Sequence, residues 1–166
     1  MSCITCLLNV ILIVGLTVGT FLVVPSLVQV VRVQGDSMTP TLLDGQLLLI
    51  SRLPYRFQTV HHGDIIVFKS PQDPEIMLVK RIIGLPGERV AIRAGHVFLG
   101  SSPMSEPYVV DGGGSGFGPL TVKPGMVFVM GDHRTVSNDS RTWGLLPLGN
   151  IVGRAELSLW PPGLTL

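Results

Sequence analysis

Cysteine is nearly absent from this chain. Its 166 residues hold only Cys3 and Cys6, so no disulfide can staple the remaining 160 or so residues. The pair forms a C-x-x-C, but a redox C-x-x-C belongs at the start of a helix in a βαβ unit. A zinc site needs two further ligands nearby, and there are none. The two cysteines read as apolar residues at a membrane edge. Charge is scarce too, at 14% of the residues against roughly 25% in an average soluble domain, and none occurs before Arg32. The net charge is +1 and there is no Lys/Arg run, which argues against nucleic-acid binding by electrostatics. Neither G-x-S-x-G nor H-E-x-x-H occurs, so the nucleophile elbow and the zinc-peptidase helix are both missing. Residues 111–116 are Gly-rich but fit no G-x-G-x-x-G register and follow no βα pattern, so they are not a nucleotide loop. No metal and no other cofactor is expected.

What the chain does have is apolar residues, 46% of the total, unevenly spread. Residues 4–24 carry no charge. A helix of about 20 residues spans the ~30 Å hydrocarbon core of a bilayer. A cleaved signal peptide would need a basic leading region, a shorter apolar core and a small-x-small site, and these are missing. The expectation is an uncleaved transmembrane anchor at 4–24 and one β-rich domain at 28–166. The Lys/Arg bias that sets orientation is nearly silent here.

With 13 Pro and 20 Gly, the remainder reads as short strands and many turns. Strands are expected at 28–33, 46–50, 65–69, 76–84, 126–130 and 151–160. Residues 89–93 and 96–99 read as a hairpin around Ala94-Gly95. The loop at 51–62 carries Pro54, Tyr55 and Phe57, suited to a membrane interface or to ordinary surface anchoring. His61-His62 has no carboxylate or Cys at ligand spacing and reads as a solvated loop.

Three features need a common explanation. Ser37 stands in a turn, Gly35-Asp36-Ser37-Met38-Thr39-Pro40, in which glycine permits close backbone approach and proline fixes φ. Met77-Leu78-Val79-Lys80-Arg81-Ile82-Ile83 is an apolar strand with two adjacent cations. Strand neighbours point to opposite faces, so one of Lys80 and Arg81 points inward. A buried lone lysine tends to lose its proton, and a free amine can take the proton of a serine. Third, Gly131-Asp132-His133-Arg134-Thr135-Val136-Ser137-Asn138-Asp139-Ser140-Arg141-Thr142-Trp143-Gly144 is dense in hydrogen-bonding side chains for a loop between apolar strands. His133 has no single Asp standing out as its orienting partner, so a Ser–Lys pair needs fewer parts than a triad.

The Gly35–Leu42 turn, Gly63-Asp64-Ile65-Ile66-Val67-Phe68, Val79-Lys80-Arg81-Ile82-Ile83-Gly84-Leu85-Pro86-Gly87-Glu88 and the 131–144 loop occur in the order seen in type I signal peptidases. From the anchor to about Arg154 the chain resembles that family. The Asp139-Ser140-Arg141-x-Trp143-Gly144 form looks bacterial, and the short single-anchor chain also resembles mitochondrial inner-membrane peptidases. The resemblance implies a mainly β, barrel-type catalytic domain like that of LexA, behind one N-terminal transmembrane helix. It implies a serine endopeptidase that removes signal peptides, with Ser37 as nucleophile, Lys80 as general base and an acyl-enzyme intermediate. Ser137 matches the hydroxyl that orients the lysine, and Asp139 with Arg141 a structural ion pair. The oxyanion would be held by the Ser37 backbone N–H. Gly35 stands where some members carry a second serine donor, leaving a backbone N–H or water for that place. Val33, Met38, Leu42 and Val79 match walls of shallow apolar pockets for small substrate residues at −1 and −3. His133 stands where many members have Asn, and no role is assigned to it. The implied partners are exported preproteins and the lipid bilayer. The implied location is the cell membrane with the catalytic domain on the trans side, or the mitochondrial inner membrane. A self-cleaving repressor of the LexA type is the neighbouring reading, disfavoured by the anchor and the missing DNA-binding helices. A non-catalytic tethered β domain is the third, disfavoured because Ser37, Lys80 and Ser137 are all present.

Overall fold

The computed structural model describes residues 3–52, 60–110, 112 and 116–160. Pro54, Tyr55 and Phe57 therefore lie outside the described residues, as does most of the 111–116 stretch. Helix α1 covers Cys3–Leu27 and carries no charge in its first or last turn. Its side chains are described continuously over residues 8–19, about 18 Å of helix at 1.5 Å per residue. Among the described residues no helix is long and apolar enough to cross a membrane.

The rest is antiparallel β-structure. The strands are β1 (Val28–Arg32), β2 (Leu47–Ser51), β3 (Ile65–Lys69), β4 (Met77–Gly84), β5 (Arg89–Arg93), β6 (His96–Leu99), β7 (Ser102–Pro103), β8 (Phe117–Thr121), β9 (Met126–Met130), β10 (Leu146–Pro147) and β11 (Ile151–Trp160). A short helix, α2, covers Ser140–Trp143. The larger sheet has seven strands in the order β1-β2-β11-β3-β4-β9-β10, and the smaller has four in the order β7-β6-β5-β8.

Burial explains why β3 and β9 are continuous apolar runs rather than alternating ones. A sheet covered on both faces needs apolar residues at every position. Ile65 and Val67 of β3 enter a cluster with Val33, Met38, Leu42, Leu48 and Ile50. Ile66 and Phe68 enter another with Ile82, Val127 and Val129. Phe128 and Met130 of β9 face a third, shared with Val90, Ile92 and Val97 of the smaller sheet. The two sheets are thus joined through β9, and the Phe117 and Phe128 rings meet at 5.2 Å between centroids. The hairpin at Ala94-Gly95 forms as expected, with φ of 48° and 80°, the left-handed pair of a tight strand-matching turn.

Candidate active site

Ser37 lies in the connection from β1 to β2. The strands extend toward it through Val33 N–H to Gln46 O at 2.8 Å and Gly45 N–H to Val33 O at 3.0 Å. The turn then closes on itself, with Thr39 N–H donating to Asp36 O and Leu42 N–H to Met38 O. Its underside is apolar. Val33, Met38 and Leu42 are buried in the core cluster beneath it, and Val79 packs against the same cluster. This holds the turn down and leaves the half-buried Ser37 on top.

Lys80 comes from β4. It pairs with Ile66 across β3, on the sheet face that carries Ile82 and Phe68, while Arg81 faces the other side beside Ile65 and Met130. Strand alternation therefore separates the two cations. Lys80 is 3% exposed, and its Nζ lies 2.6 Å from Ser37 Oγ. Burial lowers its pKa to about 8, against the pull of the Asp139 and Asp132 carboxylates, which raise it; Arg141 adds to the lowering. An amine of this kind is free in a large fraction of molecules in mildly alkaline solution.

Arg81 has its own answer to burial. Its Nε and Nη2 donate to the two oxygens of Asp132 at 2.8 and 2.6 Å, and its Nη1 to Gly63 O at 2.9 Å. Asp132 also accepts from Thr41 Oγ1 at 2.5 Å, and the guanidinium covers the Tyr108 ring at 4.0 Å. This bidentate pair ties β4 to the Ser37 turn and to the loop after β9. Sequence reasoning did not find it, because the partner lies 51 residues away with no local signal.

The loop after β9 forms the other wall. Asp139 is fully buried and caps α2 by accepting from Arg141 N–H. It also accepts from Gly131 N–H at 3.0 Å and from Arg141 Nε and Nη2 at 2.8 and 2.9 Å. Arg141 Nη2 donates in turn to Arg134 O at 2.7 Å. Ser137 Oγ is buried and makes no hydrogen bond among the described residues; it packs against Gly131, where the Ser37 carbonyl also approaches. Gly35 N–H is already engaged, donating to Asp44 Oδ1 at 2.7 Å. The Ser37 N–H meets no acceptor among the described residues.

An open cleft of about 480 Å³ runs over the Ser37–Lys80 pair, lined by Gln34, Gly35, Asp36, Thr39, Leu78, His133, Val136 and Asn138. Val33, Met38, Leu42 and Val79 are not among its lining residues; their side chains turn to the core. Leu78 was legible in principle, two residues before Lys80 on the same strand face. Among the described residues no cluster of His, Cys, Asp or Glu could hold a metal ion.

A model of the family described as signal peptidase, peptidase S26, matches residues 4–160. The chain belongs to that family. The signal peptidase I-1 of Synechocystis sp., described as probable, is 38% identical over 136 residues, covering 78% of this chain and 69% of that protein. The mitochondrial ATP-independent inner membrane protease subunit 1a of Arabidopsis thaliana is 36% identical, covering 82% of this chain and 73% of the relative. The crystal structure of a signal peptidase I from Enterococcus faecalis aligns with a TM-score of 0.51 at 32% identity, over 58% of this chain and 97% of that one. This signal peptidase family member is thus a serine peptidase with a mainly β body.

Proposed function

We propose that this signal peptidase cuts N-terminal signal peptides from exported preproteins with Ser37 as nucleophile and Lys80 as general base. The observation that carries this reading is the 2.6 Å approach of a buried lysine amine to a serine hydroxyl at the floor of an open cleft. Ser37 Oγ attacks the scissile carbonyl carbon as its proton passes to Lys80 Nζ. The proton then goes to the departing amine nitrogen, the C–N bond breaks, and an ester on Ser37 remains. Water attacks that ester as it gives a proton to Lys80, the bond from carbon to Ser37 Oγ breaks, and the proton passes from Lys80 to Ser37 Oγ, which restores the hydroxyl and the free amine. The Ser37 N–H is the oxyanion donor in this reading; such a donor is typically worth about 3 kcal/mol. Gly35 N–H, held by Asp44, is a poor second one. In this reading Ser137, whose buried hydroxyl has no partner among the described residues, is the residue that orients the Lys80 amine, and Asp139 with Arg141 braces the wall behind. The cleft accepts an extended chain with small residues at −1 and −3.

The substrate is itself delivered in a bilayer, so the uncharged run at 4–24 is read as an anchor with the domain at 28–166 on the trans side. The bacterial cell membrane is the preferred site and the mitochondrial inner membrane the second, since relatives come from both kinds of source.

The test is cleavage of a preprotein bearing an Ala-x-Ala site, in detergent or lipid, by wild type, Ser37→Ala and Lys80→Ala. Cleavage by wild type alone is expected, with each variant slowed at least a thousandfold, of the order seen when a catalytic nucleophile or base is removed. Equal cleavage by all three would overturn the assignment.

A further inference from the structure

Asp36 and Ser37 present consecutive backbone carbonyls to the loop after β9, and one residue meets both. His133 N–H donates to Ser37 O at 3.2 Å, and His133 Nδ1 lies 3.2 Å from Asp36 O. A carbonyl oxygen only accepts, so Nδ1 must carry a proton. In water the neutral imidazole favours the other tautomer, so the contact selects a definite form of the ring. Gly131 lets this clamp close. A Cβ there would stand 2.3 Å from Ser37 O and 2.3 Å from Ser137 Oγ. The nucleophile turn is thus held from below by Met38 and Leu42 and from the side by His133.

We propose that His133 is a positioning residue. Its Nδ1–H and backbone N–H pin the two carbonyls of the nucleophile turn and so hold Ser37 Oγ against Lys80 Nζ. A turn free to rotate about Asp36-Ser37 would swing the hydroxyl off the amine, and a displacement of about 1 Å at reacting atoms costs on the order of a hundredfold in rate. Asn carries its amide nitrogen at the same bond separation from Cα as the Nδ1 of His, so Asn at 133 supplies the same donor. Asp at 133 offers only acceptors when ionised and repels the carbonyl.

The proposal rests on the Ser37–Lys80 reading, and the test separates the two. In the full chain in detergent, kcat and KM are measured for wild type, His133→Ala, His133→Asn, His133→Asp and Ser37→Ala, with thermal unfolding of each. His133→Ala is expected to lose roughly tenfold to a hundredfold in kcat with KM little changed. His133→Asp should lose at least as much, and His133→Asn should recover most of it. ¹⁵N-histidine NMR of wild type near pH 9, where an ordinary imidazole is neutral, should show one ring in the Nδ1–H tautomer, absent in His133→Asn. Full kcat in His133→Ala alongside an inactive Ser37→Ala overturns the inference and leaves the dyad standing. An active Ser37→Ala overturns the dyad instead. If His133→Ala is too unstable to assay, the NMR decides: an Nε2–H tautomer for the His133 ring overturns the clamp.

Discussion

In the proposed mechanism Lys80 is the base because its charge is not welcome where it lies. Burial lowers its pKa to about 8, so the free base accumulates as pH rises through that value. With Lys80 as base, kcat/KM should climb along a single limb with an apparent pKa near 8, and an initial-rate series from pH 6 to 10 would read it. The same shift acts on stability. The folded-state pKa lies below the unfolded value of 10.5. Between those values the unfolded chain takes up a proton that the folded chain does not. Folding therefore weakens as pH falls from 10.5 to about 8, and the cost is fully present below. Lys80→Met should stabilise the protein at pH 7 by up to about 3 kcal/mol, with little difference above pH 11. Urea denaturation at both pH values measures it, and an equal effect at both would show that packing rather than charge is responsible.

Between residue and domain stands the meeting of the Ser37 turn with the loop after β9. Two glycines there have different physical reasons. Gly131 lies outside the left-handed region, yet an added Cβ would strike the Ser37 carbonyl and Ser137. Gly35 has φ of +81° but open space around it. Gly131→Ala should therefore destabilise by about 1–3 kcal/mol through overpacking and also abolish most activity, because the atom it displaces belongs to Ser37. Gly35→Ala should cost about 1 kcal/mol from backbone strain alone. Comparing denaturation midpoints with kcat for the pair tests this, and a Gly131→Ala protein of normal activity would show that the two loops do not need this contact. The four-residue helix α2 is an element of the same kind. It exists because Asp139 caps it while also holding Gly131 and Arg141, not because its sequence favours helix.

At the scale of the whole molecule, the seven-stranded sheet places the cleft on one side while α1 leads into β1 at its edge. In the proposed anchoring, membrane attachment belongs to the uncharged run rather than to the β body. Leu12 lies mid-run and is 71% exposed. Arginine at the centre of a spanning helix costs about 3 kcal/mol on insertion scales. Leu12→Arg should thus leave cleavage of a short soluble peptide intact while shifting much of the protein out of the vesicle fraction in a flotation assay. Unchanged flotation would move the attachment elsewhere in the chain.

Several features were readable from the residues alone. Strands such as β3, β4 and β9 announce themselves through apolar, β-branched runs, and two adjacent cations inside β4 must part to opposite faces by the pleat. Others were not readable, for local reasons. Strand β8, Phe-Gly-Pro-Leu-Thr, hides behind its Gly and Pro, and α2 is shorter than the period that would reveal it. Val33, Met38 and Leu42, expected as pocket walls, are buried in the core cluster under the turn, and Leu78 and Val136 are among the residues that line the cleft. By itself the sequence determined which segments are apolar enough to be buried and that one of two adjacent cations lies among them, because burial is written in local periodicity. Only the tertiary structure decided that Ser37 meets Lys80 across 43 residues, that Arg81 meets Asp132, and that His133 meets the Ser37 turn. Those meetings depend on strand register and on how loops fold back, and no local pattern of residues carries that information.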